Sequence, residues 1–100
     1  FLDARKLYDE IWDYIGESAI YTNIGNIYLK QHNILKAMKL FKSALSLDLI
    51  ISNKALLAVD YFNLAKIYEK TNNFTKAKTY YEKAIMLDRE LGNKKALVID

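Results

Sequence analysis

Two asparagines, Asn23 and Asn63, stand forty residues apart in similar surroundings, Thr-Asn-Ile-Gly and Phe-Asn-Leu-Ala. A carboxamide carries N–H donors and a carbonyl acceptor, so it can hydrogen-bond to both kinds of group in an extended peptide backbone. These bonds do not depend on the side chains of the peptide. The alternative is that each asparagine bonds a neighbouring helix or water. The first interpretation predicts a surface that binds peptide backbone.

The helices that would carry these asparagines contain four further polar residues that packing does not require: Asn26, Lys30, Lys66 and Lys70. The lysines offer point charges to acidic side chains or to a carboxylate terminus. The alternative interpretation is a solvated helix face. Together with the two asparagines, these residues are the predicted peptide-binding set.

No group of residues in the sequence predicts catalysis. The single histidine, His32, lies in a predicted turn, where we expect it to adopt an unusual backbone angle rather than to bind a ligand or act as a base. No nucleophile–base pair, metal-ligand spacing or phosphate-binding loop can be assembled. We therefore expect neither an enzyme nor a bound metal or cofactor. Four carboxylates alternate with lysines and are expected on a solvent-exposed helix face: Asp48, Glu82, Asp88 and Glu90.

The composition limits the class of protein. The 100 residues are enough for one domain, 52% are hydrophobic, and there are only three glycines and no proline, which predicts an all-α fold. Cysteine is absent, which excludes disulfides and thiolate chemistry. The net charge of +3 is too small to indicate nucleic acid or a membrane surface as a partner. No apolar run approaches the roughly 18 residues of a membrane span, and a cytoplasmic location is expected.

Apolar residues at helical spacing divide the chain into elements. The sequence predicts five helices, over residues 1–12, 14–31, 34–51, 54–70 and 74–91. Asn33, Asn53 and Asn73 are expected to cap the helices that follow them, as is Asp13. Gly92 is expected to end the fifth helix in a left-handed conformation, with Asn93 capping a short final segment.

The chain repeats itself. Residues 18–57 align with residues 58–97 without a gap, and about a third of the aligned positions are identical. Residues 1–17 match the second half of a repeat, so we expect them to form the second helix of a preceding repeat and a turn. Residues 98–100 match the start of a further repeat. The sequence therefore predicts a single domain fragment, cut at both ends from a longer series.

Each copy carries one pattern of aromatic and small residues. It consists of Tyr21, Ile24-Gly25, Tyr28, Ala37, Phe41 and Ala44, and then of Tyr61, Leu64-Ala65, Tyr68, Ala77, Tyr81 and Ala84. This pattern resembles the tetratricopeptide repeat family. Two differences are a period of forty residues, where about 34 is usual, and the absence of the usual proline after the second helix. Both are similar to the long-helix subclass found in kinesin light chains, spindle-orientation adaptors and bacterial signalling proteins.

The resemblance implies a fold and a function. It implies antiparallel helix pairs stacked in a right-handed superhelix, a solenoid in which the first helix of each pair lines a concave groove. Similar repeats use an asparagine at the place of Asn23 and Asn63 as a ladder along a bound peptide. We therefore expect a scaffold that holds an extended protein segment through Asn23, Asn26, Lys30, Asn63, Lys66 and Lys70.

Two alternatives remain open at the level of sequence. The first is a sensory or regulatory segment of a larger bacterial signalling protein or transcription regulator. The second is a homo-oligomer formed through exposed repeat ends. A protein or peptide partner is expected in either case, and no nucleic acid or membrane.

Overall fold

The computed structural model describes the backbone of residues 2–99 and the side chains of residues 6–92. In this range the chain forms four α-helices and no strand, which confirms the all-α prediction. The helices are α1 (Leu2–Lys30), α2 (Ile34–Ile51), α3 (Lys54–Lys70) and α4 (Phe74–Ile99). They form two compact units. Unit 1 is the pair α1 and α2, up to Ser52, and unit 2 is the pair α3 and α4, from Asn53 onwards.

Three asparagines cap helices as predicted. Asn33, Asn53 and Asn73 each accept a hydrogen bond on Oδ1 from the backbone N–H three residues further on, at N···O distances of 3.4, 3.1 and 3.4 Å. Each bond satisfies an N–H that would otherwise have no partner within the first turn of the helix, and such a cap typically contributes about 1 kcal/mol.

The residue before each cap ends the preceding helix. His32, Ser52 and Asn72 have φ angles of 63°, 60° and 64°, in the left-handed region that closes helix C-termini. The expectation of an unusual backbone angle at His32 is thus confirmed. At the turn within unit 1 the backbone N–H of Asn33 donates to the carbonyl of Tyr28 at 2.9 Å, so the chain reverses within three residues.

Two predicted helix breaks are wrong. α1 continues through Asp13 and α4 continues through Gly92 and Asn93, so Asp13 and Asn93 are not caps and Gly92 has no positive φ. The physical reason is that an aspartate or glycine inside a helix costs only about 1 kcal/mol. Neither place has the left-handed residue that accompanies the three observed turns, and no proline prevents the helix from continuing.

The core of unit 1 depends on a glycine. α2 presents Ala37, Phe41 and Ala44 to α1, all at most 1% exposed. A Cβ atom built on Gly25 would lie 2.8 Å from Cε1 of Phe41, which is too close for an ordinary contact. The aromatic ring therefore packs directly on the backbone of α1. This is the close helix approach that the small residue in the Tyr-Ile-Gly-Tyr pattern predicts.

One carboxylate expected on the solvent face is buried instead. Asp48 is 1% exposed, and its Oδ1 accepts a hydrogen bond from Oγ of Ser18 at 2.7 Å. The solvent-face prediction is wrong at Asp48 because Asp48 falls one helical turn after Ala44, on the side of α2 that faces α1. The serine supplies the hydrogen bond that allows a carboxylate to be buried there.

The core of unit 2 consists of leucine and alanine side chains next to a stack of tyrosine rings. Leu64, Ala65, Ala77 and Ala84 are at most 4% exposed. The ring of Tyr80 lies between two others, with centroid distances of 5.8 Å to Tyr61 and 5.4 Å to Tyr68. Stacking at these distances adds about 0.5–1.5 kcal/mol per pair to the burial of the rings.

Several apolar residues of α1 are exposed although their spacing predicts packing. Leu7 and Tyr8 are 58% and 60% exposed, and Ile24 is 38% exposed whereas the aligned Leu64 is 1% exposed. The assignment of residues 1–17 to the second helix of a preceding repeat stays a prediction.

Candidate functional site

The predicted residues of unit 1 share one face of α1. Asn23 and Lys30 are exposed and Asn26 is half-buried. Their spacing of three and four residues places them on one side of the helix, turned away from the contact between Gly25 and Phe41. The side chains of all three make no hydrogen bond or ion pair with other described residues. This face therefore offers two carboxamides and one ammonium group to solvent.

The predicted residues of unit 2 lie along α3. Lys70 is exposed and Lys66 is half-buried. Phe62, one turn before Lys66 on the same helix, is 46% exposed. The ammonium of Lys66 lies 5.3 Å from the centroid of the Phe62 ring, a cation–π distance. The ring packs edge-on against Tyr81 at 5.3 Å. Phe62 is thus held in place from two sides while nearly half of its surface stays accessible.

The two asparagines that the sequence treats as equivalent differ in burial. Asn23 is exposed, whereas Asn63 is only 7% exposed. The side chain of Asn63 makes no hydrogen bond with the other described residues. Neither of its polar side-chain atoms is fully enclosed, so the donors and the acceptor of Asn63 are available to a ligand or to water.

A tyrosine of α4 and a glutamate of α3 form a hydrogen bond near the C-terminus of α3. The hydroxyl of Tyr81 donates to Oε1 of Glu69 at 3.2 Å. Burial raises the pKa of the Tyr81 hydroxyl, and the Glu69 carboxylate raises it further. The hydroxyl therefore stays protonated at neutral pH and continues to donate.

The sequence did not predict a shallow pocket beside this face. Ala58, Val59 and Phe62 from α3 and Asp88 from α4 line it, and its volume is about 150 Å³. That is well below the roughly 300–1,000 Å³ of pockets that enclose small molecules, and it is of the order of one amino-acid side chain. One difference between the repeats in the sequence points to this pocket: Ala58 stands where the first repeat has Ser18.

These faces carry polar, charged and aromatic groups. Among the described residues, no group of three or more histidines, aspartates or glutamates is arranged to hold a metal ion. No helix in the part of the chain that the structure describes is long and apolar enough to cross a membrane. The accessible groups at these faces are carboxamides, ammonium groups, the carboxylates of Glu69 and Asp88, and the ring of Phe62.

Comparison with known proteins gives one family. The sequence model of the tetratricopeptide repeat matches residues 16–90. Searches of curated proteins and of solved structures found no match. The matched range includes both copies of the aromatic and small-residue pattern and all six predicted peptide-binding residues.

Proposed function

The chain belongs to the tetratricopeptide repeat family, whose repeats mediate protein–protein interactions, and we propose that it is a scaffold that holds an extended segment of a partner protein. In each unit the exposed face of the first helix, α1 or α3, is the surface that contacts such a segment. The family is a non-catalytic interaction repeat, and binding is the activity that the exposed groups support.

The observation that carries this proposal is the state of Asn63. Its side chain is 7% exposed and makes no hydrogen bond with other described residues. Neither polar atom of the carboxamide is fully enclosed, so both still reach solvent and can be reached by a ligand. A peptide backbone laid along α3 supplies an N–H and a C=O in fixed alternation, which match the acceptor and the donors of the carboxamide. Binding would thus replace hydrogen bonds to water with hydrogen bonds to the peptide at a carboxamide whose surroundings are otherwise buried.

The lysines add preference for acidic groups. Lys70 and Lys30 are exposed, and each occupies the last turn of the first helix of its unit. Lys66 is fixed over Phe62, which gives one cationic and one apolar contact on the same turn. Acidic side chains or a C-terminal carboxylate of the partner segment are the groups that these ammonium ions would bind.

Asn63→Ala tests the proposal. Peptides are first selected on the full chain from a displayed library of random octapeptides, and affinity is then measured by isothermal titration calorimetry. We expect Asn63→Ala to weaken binding by about tenfold or more, because two hydrogen bonds to the peptide backbone are lost. Asn23→Ala should have a smaller effect, since solvent already satisfies its exposed carboxamide.

The matched control is Gln31→Ala, which removes an exposed carboxamide in the turn after α1 and should leave affinity unchanged. Helix content measured by far-ultraviolet circular dichroism should be the same in all variants. Unchanged affinity in Asn63→Ala, with the fold intact, would contradict the role of this residue. A library from which no peptide is selected would contradict the scaffold function itself.

Exposed residues of α1 support a second candidate, homotypic assembly. Leu7, Tyr8 and Trp12 are 58%, 60% and 57% exposed, and the Tyr8 and Trp12 rings touch edge-on at 6.0 Å. Contiguous exposed apolar groups of this kind mark interaction surfaces. Sedimentation velocity should then show reversible association that Leu7→Glu with Trp12→Glu abolishes. Monomer at every concentration would reject this candidate.

A further inference from the structure

The two repeats treat an equivalent carboxylate in opposite ways. Asp48 is 1% exposed and accepts the Ser18 hydroxyl at 2.7 Å. Asp88, forty residues later, is exposed and makes no hydrogen bond or ion pair with the described residues. The difference follows from the sequence, because Ala58 replaces the serine and has no hydroxyl to donate.

The free carboxylate stands at a pocket that is otherwise apolar. Ala58 and Val59 contribute methyl groups, and Phe62 contributes part of its ring. The pocket volume of about 150 Å³ suits a single side chain. An acidic ligand group would be repelled by Asp88. A purely apolar group would remove water from the carboxylate without replacing its hydrogen bonds, which is unfavourable.

We propose that this pocket binds a lysine or arginine side chain of the partner segment, an inference that rests on the proposed scaffold function. The aliphatic stem of such a side chain covers Ala58 and Val59, and its charged end reaches Asp88. Phe62 serves as an apolar wall, since the ammonium of Lys66 already lies 5.3 Å from the ring centroid. The pocket therefore selects for a basic residue, whereas Lys30, Lys66 and Lys70 select for acidic ones.

Two small probes that share a four-carbon side-chain stem test the pocket directly. N-acetyl-lysine N′-methylamide and the norleucine derivative, which lacks the terminal ammonium group, are titrated separately into the ¹⁵N-labelled full chain. We expect the lysine derivative to shift the amide resonances of Val59, Phe62 and Asp88. The norleucine derivative should bind about three- to tenfold more weakly, because it lacks the charge-assisted hydrogen bond.

Asp88→Asn, which keeps the size of the side chain, should remove the difference between the probes. Glu82→Gln is the matched control, because it removes a carboxylate from the same helix outside the pocket, and it should preserve the difference. Equal shifts from both probes, or none from either, would overturn the proposal.

A second measurement separates this inference from the scaffold function. Octapeptides selected on the unmodified chain should carry lysine or arginine at one fixed position, and selection on Asp88→Asn should lose only that preference. Peptides selected without any such position would overturn the pocket proposal while leaving the scaffold function standing. Failure to select peptides would count against the scaffold, and the two probes would still decide the pocket.

Discussion

Replacing Phe41 with alanine is expected to lower the free energy of unfolding of unit 1 by about 3–5 kcal/mol. The ring is 1% exposed and packs on the α1 backbone at Gly25, so its removal leaves a cavity that two rigid helices cannot close. Denaturant unfolding followed by circular dichroism measures the loss. Amide hydrogen exchange, which should increase in α1 and α2, assigns it to unit 1.

Gly25→Ala tests the same contact, because its effect on the free energy of unfolding should change sign when Phe41 is also replaced. In the parent chain the new Cβ would lie 2.8 Å from Phe41, and overpacking of this kind costs about 1–3 kcal/mol. In the Phe41→Ala background the clash is absent, and alanine should stabilise by up to about 1 kcal/mol through its higher helix propensity.

Gly16→Ala is the control for Gly25→Ala. A Cβ at Gly16 meets nothing within 4 Å, so this substitution should stabilise the parent chain by up to about 1 kcal/mol. If Gly25→Ala stabilised the parent chain as much as Gly16→Ala does, the close contact between Gly25 and Phe41 would be contradicted.

Ser18→Ala should destabilise unit 1 by about 1.5–3 kcal/mol. In the parent chain the Asp48 carboxylate is 1% exposed and accepts the Ser18 hydroxyl at 2.7 Å, and the variant removes that hydroxyl. A buried charged acceptor that loses its donor costs more than an exposed one. Denaturant unfolding measures this effect, and the penalty should be smaller when Asp48 is also replaced by alanine, because no unpaired carboxylate then remains.

Ser43→Ala provides the comparison for Ser18→Ala. The Ser43 hydroxyl bonds only the carbonyl of Lys39 in its own helix, at 3.1 Å and in contact with solvent. Its loss should change stability by less than about 0.5 kcal/mol. If the two serine substitutions changed the free energy of unfolding equally, the hydrogen bond to Asp48 would contribute no more to stability than an exposed one.

The turns of the fold were predictable from sequence because their determinants are local. Asn33, Asn53 and Asn73 each combine a side chain that can cap with a preceding residue able to take a left-handed φ. Asp13 satisfies only the first condition. Its side chain is compatible with a helix start, but the structure has no left-handed residue before it, so α1 continues. The type of the capping residue alone was therefore insufficient to predict a helix boundary. The conformation of the residue before it was needed as well.

The candidate site was only partly predictable because burial depends on the surroundings of a residue as well as on its place in a repeat. Asn23 and Asn63 occupy the same aligned position, yet one is exposed and the other is 7% exposed. Val59 and Asp88 were missed for the same reason. A valine on a helix predicts packing and an aspartate predicts solvent, and neither residue alone indicates a shared pocket.

The stacked tyrosines of unit 2 give the chain a built-in optical reporter. Tyr61, Tyr68 and Tyr80 are held at fixed mutual angles within unit 2, so their near-ultraviolet bands should lose ellipticity when α3 separates from α4. The single tryptophan, Trp12, lies on α1 in unit 1, and its fluorescence can be excited selectively. The stack thus contributes to the near-ultraviolet signal from unit 2, in addition to the tyrosines of unit 1, and Trp12 contributes an emission from unit 1 alone.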